Sequence, residues 1–565
     1  MSIFAPRKQN LSLFEKHRAT IDRAIEAVHK RVYFSAFPEM PSPAAYGETA
    51  EADQKKLFET QLGNQFTRLK QSGEGWLLSD EESPYTLNKL GISYPTFSNC
   101  ADIVKRSQAA WADWKQTDPA TRAAILVESL ERLKSSFYEL AFATMHTTGQ
   151  SYMMSFQASG PHAADRALEA IALGYQEQTR FPAQFTWEKP AGKVTLKLEK
   201  FITPVSKGVS LAIGCATFPT WNSVPGIYAS LVTGNPVISK PHPKAVYPIA
   251  LVFAHLQEVL VENGFSPDLA LLAVDTETKL ITKELAENPA VKIIDFTGSS
   301  AFGHYIESLP GKISFTEKAG VNSVIVDSVA NLSAMAQNVA FSACLYSGQM
   351  CTAPQNIFIP KGGIKVANET VSFADVEKAL VEAFEGIINH PKMGPAVLAA
   401  LQSDTTHKRV MEGKSLGGKV LLETKAVANP EFPNVRSASP IIIEIPASDR
   451  AIYARELFGP IVFIIPTADT TESVELASSI AEEHGAISCG AYTIDDATMA
   501  MIAEKMAHVG TPVSFNLTGG IYVNQHAGFS DFHVTGGNPA GNASFTDPEF
   551  VLKRFTRTGV RVNLN

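Results

Sequence analysis

Apolar residues recur along this chain with two periods, and the alternation between them outlines an α/β body. Over residues 13–33, Phe14, Ile21, Ile25, Val28 and Val32 share one face at helical spacing, and the Pro-rich FPEMPSPAAYGE that follows breaks the helix. Helical patterns are also predicted over about 102–145 and about 164–172. From Lys193, KVTLKLEKFI alternates apolar and polar residues with period two, as a half-exposed strand does. Dense apolar runs follow in VSLAIGC, NPVISKP, LALLAV and VKIIDFTGSS, separated by helices predicted from Val246 to the Gly264 stop and from Glu277 to Glu287. A second series runs through VNSVIVD, a helix from Leu332 to Tyr346, QNIFIP, a helix near Val376–Phe384, and IVFIIP. Strands alternating with helices in this way predict parallel sheets.

Composition narrows the class. A chain of 565 residues with 45% hydrophobic and 19% charged positions supports two or three folded units. The formal charge of -8 argues against a chain-wide affinity for nucleic acid. No apolar run reaches membrane-spanning length, and MSIFAPRKQN leads into a charged amphipathic stretch, so no membrane association and a cytoplasmic location are expected. Five cysteines, at 100, 215, 344, 351 and 489, form no CxxC pair, so neither a disulfide framework nor a metal site is suggested.

Ligands of open parallel sheets bind beyond the carboxyl ends of the strands. At one such end, Gly298 and Ser299 open a helix, with Gly303 five residues after the first glycine, and backbone amides there favour a pyrophosphate. An ordinary strand-to-helix turn would read the same way. At another, Lys240-Pro241-His242-Pro243-Lys244 carries cations and no adjacent carboxylate. A solvated basic loop is the plain alternative; a protonated His242 beside Lys240 and Lys244 would favour the 2′-phosphate of NADP over the 2′-hydroxyl of NAD. SGQMCT places Cys351 on the turn after a helix, where a thiol can be partly exposed and activated, whereas Cys344 and Cys215 read as core residues. In FTEKAG, Glu317 is either a desolvated base with a raised pKa or an ion-pair partner of Lys318.

In order and local sequence these segments resemble the aldehyde dehydrogenase superfamily over roughly residues 102–565: GNPVISKP with Lys240, FTGSSAFG with Ser299, TEKAG with Glu317, SGQMC with Cys351, and ELFGP with Glu456 and Phe458. The resemblance implies that Cys351 is the nucleophile and Glu317 the base that activates water. Lys240, Gly298, Ser299 and Gly303 would hold the adenosine ribose and phosphates of NADP, with NAD as the alternative, while Glu456 and Phe458 would meet the nicotinamide end. It implies an α/β fold with a doubly wound, Rossmann-like cofactor domain (101–192 and 205–318), an α/β catalytic domain (319–525) and a small oligomerisation sheet (193–204 and 526–565). Residues 1–100 would be an extra helical module. Edge pairing through the small sheet would give a homodimer or homotetramer.

Two positions depart from the family pattern. Where the family carries an oxyanion-binding Asn, CATFP places Thr217, a shorter donor, and losing such a donor costs ~10²–10³ in rate. Asn222, five residues on, either folds back to supply that donor or, the plainer reading, is a surface or capping residue. Pro243 stands where NAD-preferring relatives have Glu. The N-terminal module and the tail HAGFSDFHVTGGNPAGNASFTDPEFVLKRF are similar to the PaaN-type branch of phenylacetic acid degradation, which implies a ring-opened semialdehyde substrate, free or CoA-linked. Two other readings remain at this stage: a CoA-acylating dehydrogenase, which dispenses with the water-activating Glu, and a nucleotide-binding scaffold impaired at Thr217.

Overall fold

The structure, a computed structural model, describes residues 9–519, 533–545 and 547–564. The apolar runs of the sequence form the strands of two sheets. The first has five parallel strands in the order Ala270–Leu272, Val237–Lys240, Val209–Ile213, Val291–Thr297, Ile313–Glu317. From Val209–Ile213 the chain moves outward on one side and then returns to build the other. The strand order therefore reverses beside that strand, and the reversal opens a crevice at the carboxyl ends. Both faces are covered. Val209, Leu211 and Ile213 pack into one core, and Ala212, Val237 and Ile293 into another, which is why these strands read as continuous apolar runs.

The second sheet has seven strands in the order Lys419–Leu422, Ile441–Glu444, Ile461–Thr467, Pro354–Pro360, Asn322–Val326, Cys489–Tyr492, Val513–Phe515; the first pair is antiparallel and the rest parallel. Phe358, Ile443 and Phe463 face one core; Ile357, Ile442 and Ile464 face the other.

The single helical pattern over 102–145 is three helices. Asp118 caps the second through Thr121 N, and Pro119 at its first turn ends the continuity. The helix predicted from Glu277 is only Thr282–Glu287. Leu332–Cys344 stops short of Tyr346, whose φ of 52° is left-handed.

The N-terminal region is not a separate module. The helix Leu11–Lys30 buries Phe14, Ile21 and Val28 in the same core as Leu126, Leu168, Ile227 and Leu256, while Val32 lies past the left-handed Arg31 cap and is exposed. Glu81 Oε1 accepts from Val246 N (2.7 Å) and Tyr247 N (2.6 Å), placing a carboxyl at the start of the Tyr247–Glu262 helix.

The half-exposed strand is Val194–Ser206. It pairs antiparallel with Phe555–Asn563 and, through a turn at Gly192, with Gln184–Ala191, so these residues of the segment 101–192 belong to the small sheet and not to the five-stranded one. Within 526–565, residues 526–532, 546 and 565 lie outside the described residues, as do 1–8 of the N-terminal segment and 520–525 of the segment 319–525. Among the described residues no helix is long and apolar enough to cross a membrane.

Candidate active site

A cavity of about 790 Å³ opens at the crevice of the five-stranded sheet and is closed on its far side by the second sheet unit. Cys351, Glu317, Thr217, Lys240, Gly298, Ser299, Glu456 and Phe458 all line it, together with Asn222, Cys215 and Glu277. Residues more than two hundred positions apart thus share one space, the size of a ligand site.

The turn that carries Cys351 is held rigidly. Tyr346 and Ser347 adopt left-handed φ of 52° and 49°. The cost of that conformation is offset by hydrogen bonds from Tyr346 Oη to Thr148 O, from Ser347 Oγ to Leu398 O and from Gln349 Nε2 to Ala400 O. Gly348 is required twice, by its φ of +62° and because a Cβ there would lie 2.8 Å from Gly459 O. Asn322 Nδ2 donates to Cys351 O (2.7 Å) and Ala353 O (3.0 Å), fixing the cysteine backbone to the second sheet.

Glu317 ends its strand 3% exposed. Asn222 Nδ2 donates to its Oε2 at 2.9 Å, and His533 Nε2 lies 3.1 Å from its Oε1. Lys318 is not its partner, since Lys318 Nζ pairs with Glu307 at 2.6 Å. The expected rise in the Glu317 pKa does not occur. Burial pushes it up, but His533, the Cys351 hydrogen bond and the Arg166 charge together outweigh that push and leave it below the usual carboxyl value. The Cys351 thiol moves the other way, well above the ordinary thiol range, because of burial and then the Glu317 carboxylate, with Cys215 and Glu456 adding to it.

Thr217 reaches the cavity, but its hydroxyl contacts the Cys215 thiol (3.9 Å) while its carbonyl accepts from Gln150 Nε2 (2.8 Å). The carboxamide beside Glu317 belongs to Asn222, which is 8% exposed on the Pro219–Val232 helix and so is neither a surface nor a capping residue. Cys344 is buried as expected; Cys215 is not a core residue but lies half-buried at the cavity wall.

At the other end of the cavity the basic loop is less positive than expected. Lys240 Nζ is held 3.0 Å from each Asp275 oxygen, and Lys244 pairs with Glu277 at 3.1 Å. Burial, with Lys240 and Lys244 nearby, pushes His242 down to about 4, so it is neutral rather than protonated. The carboxylates come from the segment after Ala270–Leu272, distant in sequence from KPHPK, and they remove the argument for NADP that rested on their absence. Ser299 sits at the start of the Ser300–Ser308 helix on the cavity rim. Gly303 lies within that helix and off the cavity; a Cβ there would come 2.5 Å from the Lys318 side chain, so its smallness serves packing. Glu456 is raised to about 7, chiefly by burial, and Phe458 O accepts from Arg409 Nη1 at 2.6 Å.

His533 escaped the reading of the sequence. The tail that carries it runs beside Ile313–Glu317: Asn542 Oδ1 accepts from Thr316 N (2.9 Å) and Ala540 O from Lys318 N (2.6 Å). Gly541 permits that approach, since a Cβ would meet Thr316 O at 2.8 Å and the Val534 side chain closer still. No motif announces this pairing.

The switch-point crevice lies beside a cysteine turn and a buried carboxylate, and residues 82–551 match the Aldehyde dehydrogenase family, so the chain belongs to that family. It is 42% identical to an NAD-dependent aldehyde dehydrogenase from Burkholderia multivorans, with a TM-score of 0.95 over 98% of this chain and 99% of that one. It is also 24% identical over 510 residues to the 1-pyrroline-5-carboxylate dehydrogenase of Bacillus subtilis (strain 168), covering 87% of this chain and 90% of the relative. The fold is shared with an NADP-dependent glyceraldehyde-3-phosphate dehydrogenase from Bacillus halodurans C-125, at a TM-score of 0.67, 19% identity, and 89% and 98% coverage. The protein is an NAD(P)-dependent aldehyde dehydrogenase by family.

Proposed function

We propose that Cys351 attacks the aldehyde and Glu317 drives hydrolysis of the resulting thioester. The observation that carries this reading is the single cavity in which both side chains meet the carboxyl ends of the five-stranded sheet. Sγ bonds to the carbonyl carbon while the carbonyl π pair moves to oxygen, where the Cys351 N–H and a side-chain amide or hydroxyl receive it. Asn222 suits this better than Thr217, because its Nδ2 carries a second hydrogen beyond the one given to Glu317. Bound NAD(P)+ supplies the hydride acceptor. Glu317, a carboxylate at neutral pH, takes a proton from the water that attacks the thioester. A void of about 20 Å³ bordered by Glu317 and Asn222 has room for one such water. Cys351→Ser should abolish aldehyde oxidation; retained turnover would remove the thioester scheme.

The residues fit a dinucleotide. The helix start at Ser299 and the Lys240 ammonium would hold phosphate and ribose oxygens, with Gly298 allowing close approach, and Glu456 and Phe458 would hold the nicotinamide end beside Cys351. Gly303 would contribute only by keeping the helix close to the sheet. NAD is the favoured cofactor in this reading, because Glu277 on the cavity wall opposes a 2′-phosphate. In this scheme the Val209–Glu317 region binds the cofactor and the seven-stranded unit presents the thiol.

The substrate is taken to be a semialdehyde. The Bacillus subtilis relative named for 1-pyrroline-5-carboxylate supports an acyl chain with a second polar group, and the PaaN-type tail supports a ring-opened product of phenylacetate breakdown. Rates across simple, aromatic and CoA-linked aldehydes would rank these. A CoA requirement for turnover would favour the acylating alternative, against which the intact Glu317 stands. The exposed sheet of Gln184–Ala191, Val194–Ser206 and Phe555–Asn563, with Val194, Leu196 and Val562 outward, is proposed as the homodimer or homotetramer contact. Sedimentation as a monomer would contradict it.

A further inference from the structure

The thiol of Cys351 poses a problem that the family scheme leaves open in this chain. It lies half-buried beside the buried Glu317 carboxylate, so ionising it while Glu317 stays charged would set two anions against each other. Transfer to Glu317 itself would avoid the second anion but would use up the base needed for water, whereas an imidazole acceptor would leave Glu317 ionised and offset the thiolate charge. His533 occupies that place. Its Nε2 lies 3.7 Å from Cys351 Sγ and 3.1 Å from Glu317 Oε1, and reactive atoms of the three side chains lie within 4.8 Å of one another.

The ring cannot easily turn away. Trp221 packs edge-on against it with centroids 4.6 Å apart, and Phe545 stacks on it at 5.8 Å and 20°. Among the described residues, the charged and titratable groups near it include Cys351 from the cysteine turn, Glu317 from its strand and Arg166, 4.7 Å above the Trp221 ring, while Cys215 and Glu456 line the cavity with Cys351. Glu317 is in direct contact with the ring, and Arg166 lies beyond Trp221. When Nδ1 carries the ring proton, the Nε2 lone pair faces the carboxylate. Arrival of a proton on Nε2 turns that contact into a charged hydrogen bond.

We infer that His533 is a catalytic residue that accepts the Cys351 thiol proton on Nε2 as sulfur adds to the aldehyde. The S–H bond breaks, its electron pair stays on sulfur and forms the S–C bond, and the proton moves to Nε2, where Glu317 Oε1 shares it. On hydrolysis, the water proton goes to Glu317, the S–C pair returns to sulfur, and His533 reprotonates the thiolate. Glu317 thus has two tasks: base toward water, and counterion to the imidazolium.

This inference rests on Cys351 being the nucleophile, and its test separates the two. Iodoacetamide alkylation of the Cys351 peptide, followed by mass spectrometry on the full-length, cofactor-free chain from about pH 5 to pH 10, reads how readily the thiol gives up its proton as it attacks. Although the resting thiol is held well above the ordinary thiol range, the wild type should show an inflection in the neutral range, because His533 takes the proton as sulfur attacks. His533→Gln and His533→Asn should lose that inflection, with the rate at neutral pH falling about tenfold or more and kcat/KM for aldehyde by about 10²-fold. A wild-type profile with only an alkaline rise overturns the inference without any variant. So does a folded His533 variant that is slower but keeps the wild-type inflection, since that marks a structural role. If Cys351→Ser still oxidises aldehydes, the thioester scheme falls while the alkylation profile still judges the thiol–imidazole pair.

Discussion

The two ends of the cavity handle charge in opposite ways. At the sheet-edge end, each cation already has its anion: Lys240 with Asp275, Lys244 with Glu277, and a neutral His242 between them. At the thiol end, Cys351, Glu317 and His533 crowd together with their reactive atoms within 4.8 Å, and the Glu317 and Cys351 pKa values move in opposite directions. The first arrangement suits binding, because a ligand meets a preset field. The second suits chemistry, because groups with displaced pKa values exchange protons readily.

The sharpest way to break this contrast is to remove one partner at the binding end. Lys240→Met should leave the buried Asp275 carboxylate uncompensated and destabilise the fold by about 3–5 kcal/mol, read by chemical denaturation. The double change Lys240→Met with Asp275→Leu should recover much of that loss, and equal destabilisation by single and double variants would refute the pairing. At the thiol end, Asn222→Ala should instead leave stability nearly intact and lower kcat by about 10²–10³ with KM little changed. If Thr217→Val carries the larger loss, the oxyanion donor is the threonine.

A smaller effect is expected at Glu277, whose side chain is half-exposed. Glu277→Gln should shift the kcat/KM preference toward NADP by up to about tenfold at low salt, and by less at high salt. No shift would place the ribose elsewhere. The smallest effect concerns pH. Because burial is outweighed by His533 and its neighbours, the Glu317 carboxyl is held below its usual value, and its base form persists through the neutral and mildly acidic range and is lost only as pH falls further. Hydrolysis of a preformed thioester should therefore hold its rate from neutral into mildly acidic pH. An inflection near neutrality in this step would mean that another group is the base.

Much of the fold was legible because buried parallel strands need apolar side chains on both faces, and that demand shows as runs such as VSLAIGC and QNIFIP. Cys351 and Glu317 were legible for another reason: each lies in a short segment with its own turn glycine, Gly348 and Gly320. Asn222 was legible only as one of two readings, and Asp275 and His533 were not. Each gains its meaning from a partner on another element, at separations of 95, 35 and 216 positions. The pKa directions stayed hidden as well, since burial alone would raise Glu317 and only His533 and its neighbours reverse the sign. The N-terminal helix looked appended because its pattern is amphipathic, yet its apolar face is a wall of the main core.

The most direct test of the account is a single-turnover experiment with Glu317→Gln, mixing enzyme, aldehyde and oxidised nicotinamide nucleotide and following both reduced nucleotide and the mass of the Cys351 peptide. One equivalent of reduced nucleotide per active site, with an acyl adduct accumulating on Cys351, is the predicted result. Steady turnover at the wild-type rate with no adduct would contradict it.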